Sequence, residues 1–137
     1  DAAIRLNPDY ATAYISRGVL LRELGRLEEA ARDFEERLRL GQNTAGIHLN
    51  VAGVYRDLGR AEEAMRHVAL ARERLTKEDT YNRACLEAIA GNTDLAYELL
   101  ARALAEGETS RDWVCRDPDW RPLRDDPRFR ALVGEEE

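Results

Sequence analysis

The sequence is poor in several features on which particular functions depend. Lys77 is its single lysine among 21 basic residues, and the formal net charge of the 137 residues is −6, with all of the acidic excess after residue 76. An acidic chain of this kind lacks the broad positive surface that nucleic-acid binding requires. The sequence also contains no run of about eighteen apolar residues, the length that a membrane-spanning helix needs. It therefore predicts neither nucleic-acid binding nor membrane insertion.

Cysteine and histidine are equally scarce. The two cysteines, Cys85 and Cys115, form neither a CxxC pair nor a framework of several disulfides. Together with His48 and His67 they show no zinc-ligand spacing. This pattern favours a reducing compartment, so we expect a cytoplasmic protein without a metal site.

Motifs that carry catalysis are missing as well. The glycines form no phosphate-binding run, and no nucleophile stands near a base at a recognisable spacing. The sequence therefore predicts a protein that is not an enzyme and that uses no cofactor.

What the sequence does contain is an internal repeat. LGRLEEA at 24–30 returns 34 positions later as LGRAEEA at 58–64, and AGNTDLA at 90–96 is a third, more divergent copy. Around each copy, apolar residues recur every three or four positions, which predicts two antiparallel helices joined by a glycine turn. We expect helices over about 11–24 and 27–40, a second pair that copies the first, and a third pair over about 79–90 and 93–105.

The last thirty residues are a different kind of sequence. Ser110, and Asp126 followed by Pro127, are N-cap signals for two short helices. An array of repeats needs a terminal cap that hides its last apolar face. The residues expected to form this cap are Trp113, Trp120, Leu123, Phe129 and Leu132.

The repeated positions resemble the tetratricopeptide repeat (TPR) family. The residues that carry the resemblance are Tyr14, Gly18, Leu21, Gly25, Ala30 and Phe34, preceded by Ala3, Leu6 and Pro8. The segment DPDWRPLRDDPRF is similar to the tail that closes TPR arrays in many bacterial proteins. The resemblance implies an all-α, right-handed superhelical solenoid. Its parts would be the end of a truncated repeat at 1–10, repeats at 11–42, 43–76 and 77–107, and a cap at 108–137.

The resemblance also implies a binding surface, because the first helices of TPR pairs line the concave side of the array. This groove would bind a peptide or segment of a protein partner, with an apolar stripe edged by amides and arginines. By register with the family, its residues are Thr12, Ile15, Ser16, Val19 and Arg22 from the first repeat, Leu49, Asn50, Gly53 and Arg56 from the second, and Tyr81, Asn82, Cys85 and Ile89 from the third.

Two alternatives stay open for the polar groove residues. Asn50 and Asn82 could hold the backbone of a peptide, or they could satisfy neighbouring backbone groups. Arg22 and Arg56 could receive a carboxylate of the ligand, or each could pair with a neighbouring acidic residue such as Asp57.

Two further expectations concern the histidines and the tail. His48 falls where the family usually has an aromatic residue, so we interpret it as a packed side chain. His67 lies on the next helix, and we place it away from His48 in register. The tail could fold over the apolar face of the third repeat, formed by Tyr81, Cys85 and Ile89 among others, and so fill part of the groove.

An alternative function is that of a structural, assembly or regulatory arm of a larger protein. The chain opens in mid-pattern, so we expect a fragment whose first repeat is truncated. The apolar side of the helix at 11–24 would then lack its neighbour and could associate with a second copy.

Overall fold

The computed structural model describes residues 9–41 and 43–134, and every regular element in this part of the chain is a helix. The all-α class is thereby confirmed, and the ends of the expected helices differ from the observed ones by two residues at most. The truncated repeat expected at 1–10, with Ala3, Leu6 and Pro8, lies almost entirely outside the described residues. The helices are α1 (Asp9–Glu23), α2 (Leu27–Arg39), α3 (Ala45–Asp57), α4 (Ala61–Arg74), α5 (Thr80–Ala90), α6 (Thr93–Ala105), α7 (Arg111–Arg116), the 3-10 helix η1 (Pro118–Leu123) and α8 (Pro127–Val133).

The repeated heptapeptide forms the same turn each time. Gly25 and Gly59 have φ angles of 83° and 81°, a left-handed conformation that glycine adopts without strain. In both turns the amide of the arginine that follows the glycine donates, at 2.9 Å, to the carbonyl five residues before that arginine. This hydrogen bond closes a Schellman motif. Arg26 then binds Glu29, and in the second copy the corresponding arginine binds Glu63, each through two hydrogen bonds of 2.6 to 2.7 Å. Both of these copies of the heptapeptide therefore form the turn that joins two antiparallel helices.

The chain divides into two compact units, the first ending at Arg74 and the second beginning at Leu75. In the first unit, α1 packs with α2, α3 packs with α4, and α2 also packs against α3. The helices approach closely because small residues lie between them: a Cβ atom on Gly18 would come within 2.7 Å of the Phe34 ring. The core of this unit contains Ala30, Ala31, Phe34, Val51, Val54, Tyr55 and Ala64.

In the second unit, α5 and α6 form the third pair, and the tail packs against both of them. The 3-10 helix η1 contacts α5, and α8 contacts α6. Trp120 and Phe129 are each 1% exposed, whereas Trp113, Leu123 and Leu132 are half-buried. The tail therefore covers the third pair, as expected of a cap, although the sequence reasoning did not foresee η1.

The expected N-caps of the tail helices are confirmed. Ser110 Oγ accepts a hydrogen bond from the amide of Trp113 at 3.1 Å, and Asp126 Oδ1 accepts one from the amide of Arg128 at 2.9 Å. Within the described ranges, no helix has both the length and the apolar character needed to cross a membrane.

Candidate functional site

The groove residues predicted in the first two repeats lie on two neighbouring helices of the first unit, since α1 contacts α3. Their exposure differs widely. Thr12 and Ser16 are exposed and Asn50 is half-buried. The others range from half-buried (Ile15, Val19 and Arg56) to buried (Arg22, Leu49 and Gly53).

The apolar stripe predicted for the groove consists in this unit of Ile15, Val19 and Leu49, which are half-buried or buried. Val19 lies against the hydrophobic core, and Leu49 is 6% exposed. Among the predicted groove residues of this unit, the exposed ones are therefore polar, namely Thr12 and Ser16, and the half-buried Asn50 is polar as well. Their contact with a ligand stays a prediction.

The predicted groove arginines of the first unit share one carboxylate. Arg22 Nε donates to Asp57 Oδ2 at 2.7 Å, and Arg56 donates to Asp57 Oδ1 at 3.0 Å. The side chain of Arg22 is 5% exposed and that of Asp57 is 15% exposed, so the contact is largely removed from water. Of the two alternatives open for these arginines, pairing with a neighbouring acidic residue is the one present in the structure.

Gly53 is required by the position of Arg22. A Cβ atom on Gly53 would lie 2.7 Å from the guanidinium nitrogens of Arg22, closer than real Cβ atoms come to other heavy atoms. This close approach explains why the residue beneath the arginine has no side chain. Gly53 therefore leaves the space that the Arg22 guanidinium occupies beside Asp57, and a contact of Gly53 with a ligand stays a prediction.

The predicted groove residues of the third repeat lie on α5, and two of them, Tyr81 and Cys85, contact the tail. The hydroxyl of Tyr81 donates to Asp117 Oδ2 at 2.6 Å and accepts from Trp120 Nε1 at 3.2 Å. Burial raises the pKa of the Tyr81 hydroxyl, so the hydroxyl keeps the proton that it donates. Of the remaining two, Asn82 is exposed and Ile89 is buried. The suggestion that the tail folds over this face agrees with these contacts.

Cys85, Asp117 and Asp119 form a buried cluster whose ligand atoms lie within 4.8 Å of one another. Burial raises the pKa of the Cys85 thiol, and the carboxylates of Asp119 and Asp117 raise it further. While no cation is bound, the thiol is therefore held protonated and is a poor nucleophile. Asp117 also accepts a hydrogen bond from the hydroxyl of Tyr81. Its other carboxylate oxygen caps η1 by accepting one from the amide of Asp119 at 3.0 Å. These two contacts give Asp117 a structural part in joining the tail to α5.

The structure corrects the expectation for the histidines. His48 is packed, with 5% exposure, as interpreted. However, His67 is not away from it: the two Nδ1 atoms are 3.0 Å apart, and the rings stack with their centroids 5.2 Å apart. The expectation failed because α4 runs back along α3. Residues that are distant in sequence therefore meet across the pair, and sequence register along one helix does not reveal this.

Comparison of the chain with protein-family models, with curated proteins and with solved structures found no match. Support for the TPR resemblance therefore comes from the repeated residues of the sequence.

Sequence reasoning missed the roles of Asp117 and His67. A signal for Asp117 was present, because Asp117 followed by Pro118 repeats the cap-then-proline pattern of Asp126 and Pro127. No comparable signal existed for the histidine pair.

The shared carboxylate gives a first prediction. Asp57→Asn should reduce the free energy of unfolding of the first unit by about 3 kcal/mol, because it removes the carboxylate charge from a largely buried contact with Arg22. Urea unfolding followed by circular dichroism measures this. Glu29→Gln, which removes one partner of the exposed pair with Arg26, is the control and should cost far less. Equal losses in the two variants would show that burial does not set the strength of the Asp57 contact.

The contacts of Tyr81 give a second prediction. Tyr81→Phe should lower the free energy of unfolding by about 2 kcal/mol, because the Asp117 carboxylate and the Trp120 indole both lose a hydrogen-bond partner. Tyr97→Phe is the comparison, since Tyr97 donates at 2.9 Å to Asp126, whose side chain is 25% exposed and can turn to water. Tyr97→Phe should therefore lower the free energy of unfolding by less than Tyr81→Phe does. Thermal melts monitored by tryptophan emission measure both, and an unchanged Tyr81→Phe melt would contradict the role of the hydroxyl.

Proposed function

We propose that this chain is a non-enzymatic protein-interaction module of the TPR type, which binds a segment of a partner protein along the first helices of its repeats. The observation that carries the proposal is the arrangement of the first unit. Two helix pairs built on the same turn place the exposed Thr12 and Ser16 of α1 beside a helix that carries Asn50. The proposal includes the right-handed superhelical arrangement of the repeats.

Hydrogen bonding is the chemistry that this surface offers. The amide of Asn50 has a donor and an acceptor, and can therefore pair with both polar groups of a peptide unit. The hydroxyls of Thr12 and Ser16 can donate or accept. An extended peptide presents unpaired backbone groups at regular intervals, so it is the ligand that matches this set.

Arg22 and Arg56 have an indirect role in this proposal. Asp57 holds both guanidinium groups, and Arg22 is buried. Arg22 fixes the end of α3 against α1 through Asp57, and so keeps the polar groups of the two helices in register, while Arg56 binds the same carboxylate from within α3. A variant that replaces Arg22 would disturb this contact, so it is not a clean test of binding.

The proposal predicts a specific loss of binding. A peptide selected from a displayed library against the wild-type chain should bind Asn50→Ala about tenfold more weakly, because one or two backbone hydrogen bonds are lost. Glu62→Ala, which alters an exposed side chain on α4, is the control and should bind like the wild type. Fluorescence anisotropy measures the affinities, and circular dichroism checks the fold.

Two outcomes would contradict this function. Equal affinity of the wild type and Asn50→Ala would place the peptide elsewhere. Failure of a folded wild-type chain to select any peptide from an extended-peptide library would remove the support for a peptide groove altogether.

A second candidate function is assembly through α1. Tyr10, Leu20 and Leu24 are 52%, 55% and 62% exposed, and their spacing puts them on one side of the helix. Tyr10 and Leu20 also line a concave surface that encloses a volume of about 550 Å³, together with Ala13, Tyr14, Ser16 and Arg17. Exposed apolar surface of this kind is typical of contacts between proteins. We propose a second copy of this chain as the occupant.

The assembly function predicts a dimer that one charge can disrupt. Sedimentation velocity at increasing concentration should show the wild type as a dimer and Leu20→Glu as a monomer, because a carboxylate would be buried in the apolar contact. Ala69→Glu adds the same charge at an exposed site on α4 and should leave the dimer intact. A wild type that stays monomeric at high concentration would exclude this function and leave the peptide-binding test unaffected.

A further inference from the structure

His48 and His67 join the two helices of the second pair through one nitrogen contact. The Nδ1 atoms lie 3.0 Å apart, and His48 on α3 is buried while His67 on α4 is half-buried. A hydrogen bond at this distance needs a proton on one Nδ1 and a lone pair on the other. When both rings are protonated, each Nδ1 carries a hydrogen, and two cationic N–H groups face each other.

From this geometry we propose that the histidine pair is an acid-sensitive latch, which holds α3 to α4 near neutral pH and releases it when both rings are protonated. The chain contains two histidines, so this pair includes all of its imidazole groups. The inference concerns the stability of the first unit and does not depend on the proposed function.

The charges on α4 around the pair oppose protonation more than they favour it. Burial lowers the pKa of His48, and the charge of Arg74 lowers it further. Burial also lowers the pKa of His67, followed by the effects of His48 and Arg66, while Glu63 acts in the opposite direction. Glu63 is itself bound by an arginine through two hydrogen bonds, which reduces its value as a counter-ion.

Charged groups of α2 and α1, and the Tyr55 hydroxyl of α3, are engaged with other partners. The Tyr55 ring lies 5.7 Å from that of His67, and its hydroxyl donates to Glu35 of α2 at 2.7 Å. The guanidinium carbon of Arg60 lies over the Tyr55 ring, 4.4 Å from its centroid. On α1, the cations Arg17 and Arg22 bind Asp33 and Asp57.

The sign of the pH dependence follows from these directions. A histidine in the unfolded chain has a pKa of about 6.5, and both folded values are lower. Below about pH 6.5 the unfolded chain therefore binds more protons than the folded chain, and stability falls as the pH falls. The histidine contribution is fully present above that pH. Carboxylates titrate lower, so the interval from pH 7.5 to 5.5 isolates the histidine effect.

The test is urea unfolding of the whole chain at pH 7.5 and 5.5, followed by circular dichroism. The folding equilibrium constant of the wild type should fall about tenfold over this interval. His48→Phe with His67→Gln, which keeps an aromatic ring and an amide but no imidazole, is the matched variant and should lose almost nothing. An equal fall in the two proteins would overturn the latch, because the pH dependence would then arise elsewhere.

A second measurement keeps the inference testable if the variant does not fold. Nitrogen NMR of the wild-type imidazoles should show one ring protonated at Nδ1 and the other at Nε2 at pH 7.5. Both rings should titrate below pH 6.5. Two rings with the same tautomer, or titration of both at about pH 6.5, would show that the Nδ1 contact does not exist in solution.

Discussion

Close approach between the two helices of each pair is the constraint on which this structure depends. Gly18 leaves room for the Phe34 ring, and Ala30, Ala52 and Ala64 are at most 3% exposed where neighbouring helices meet. Helices that pack this closely gain many dispersion contacts for each residue. They also bring polar side chains out of water wherever such side chains face the neighbouring helix, and each of these must find a partner there. The buried polar contacts of the chain are therefore a consequence of its packing.

Those buried contacts differ in the kinds of group that they join. The pair of Arg22 and Asp57 joins two opposite charges. The contact between Tyr81 and Asp117 joins a hydroxyl that stays protonated to a carboxylate. By contrast, the histidine pair joins two groups of the same kind, whose hydrogen bond requires that they hold different protonation states. It is the one of these three contacts whose partners titrate near neutral pH, and this is why acid should act first on α3 and α4.

The sequence allowed the helices, their turns and the capping tail to be predicted, because each depends on residues that are close together in the chain. Gly59 and the arginine after it specify a turn by themselves, and Ser110 caps its helix through an amide three residues away. The contacts of the candidate site were harder to predict. Whether His67 faces His48 depends on how α4 is rotated against α3, and apolar periodicity does not fix that rotation to within one residue. The burial of Leu49 was missed for the same reason.

The burial of the predicted apolar stripe changes what kind of partner the first unit would prefer. With Val19 half-buried against the core and Leu49 6% exposed, a segment bound along α1 and α3 would gain little from these apolar side chains. Hydrogen bonds contribute about 1 kcal/mol each, because water competes for the same groups, so affinity would need several of them at once. An extended backbone supplies several in a row, whereas a single side chain does not. Apolar area is instead offered by Leu20 and by Leu24, the residue that follows α1. Because Ser16 belongs to the proposed peptide surface and also lines the concave surface with Leu20, a bound peptide and a second copy of the chain would compete for the same side of α1.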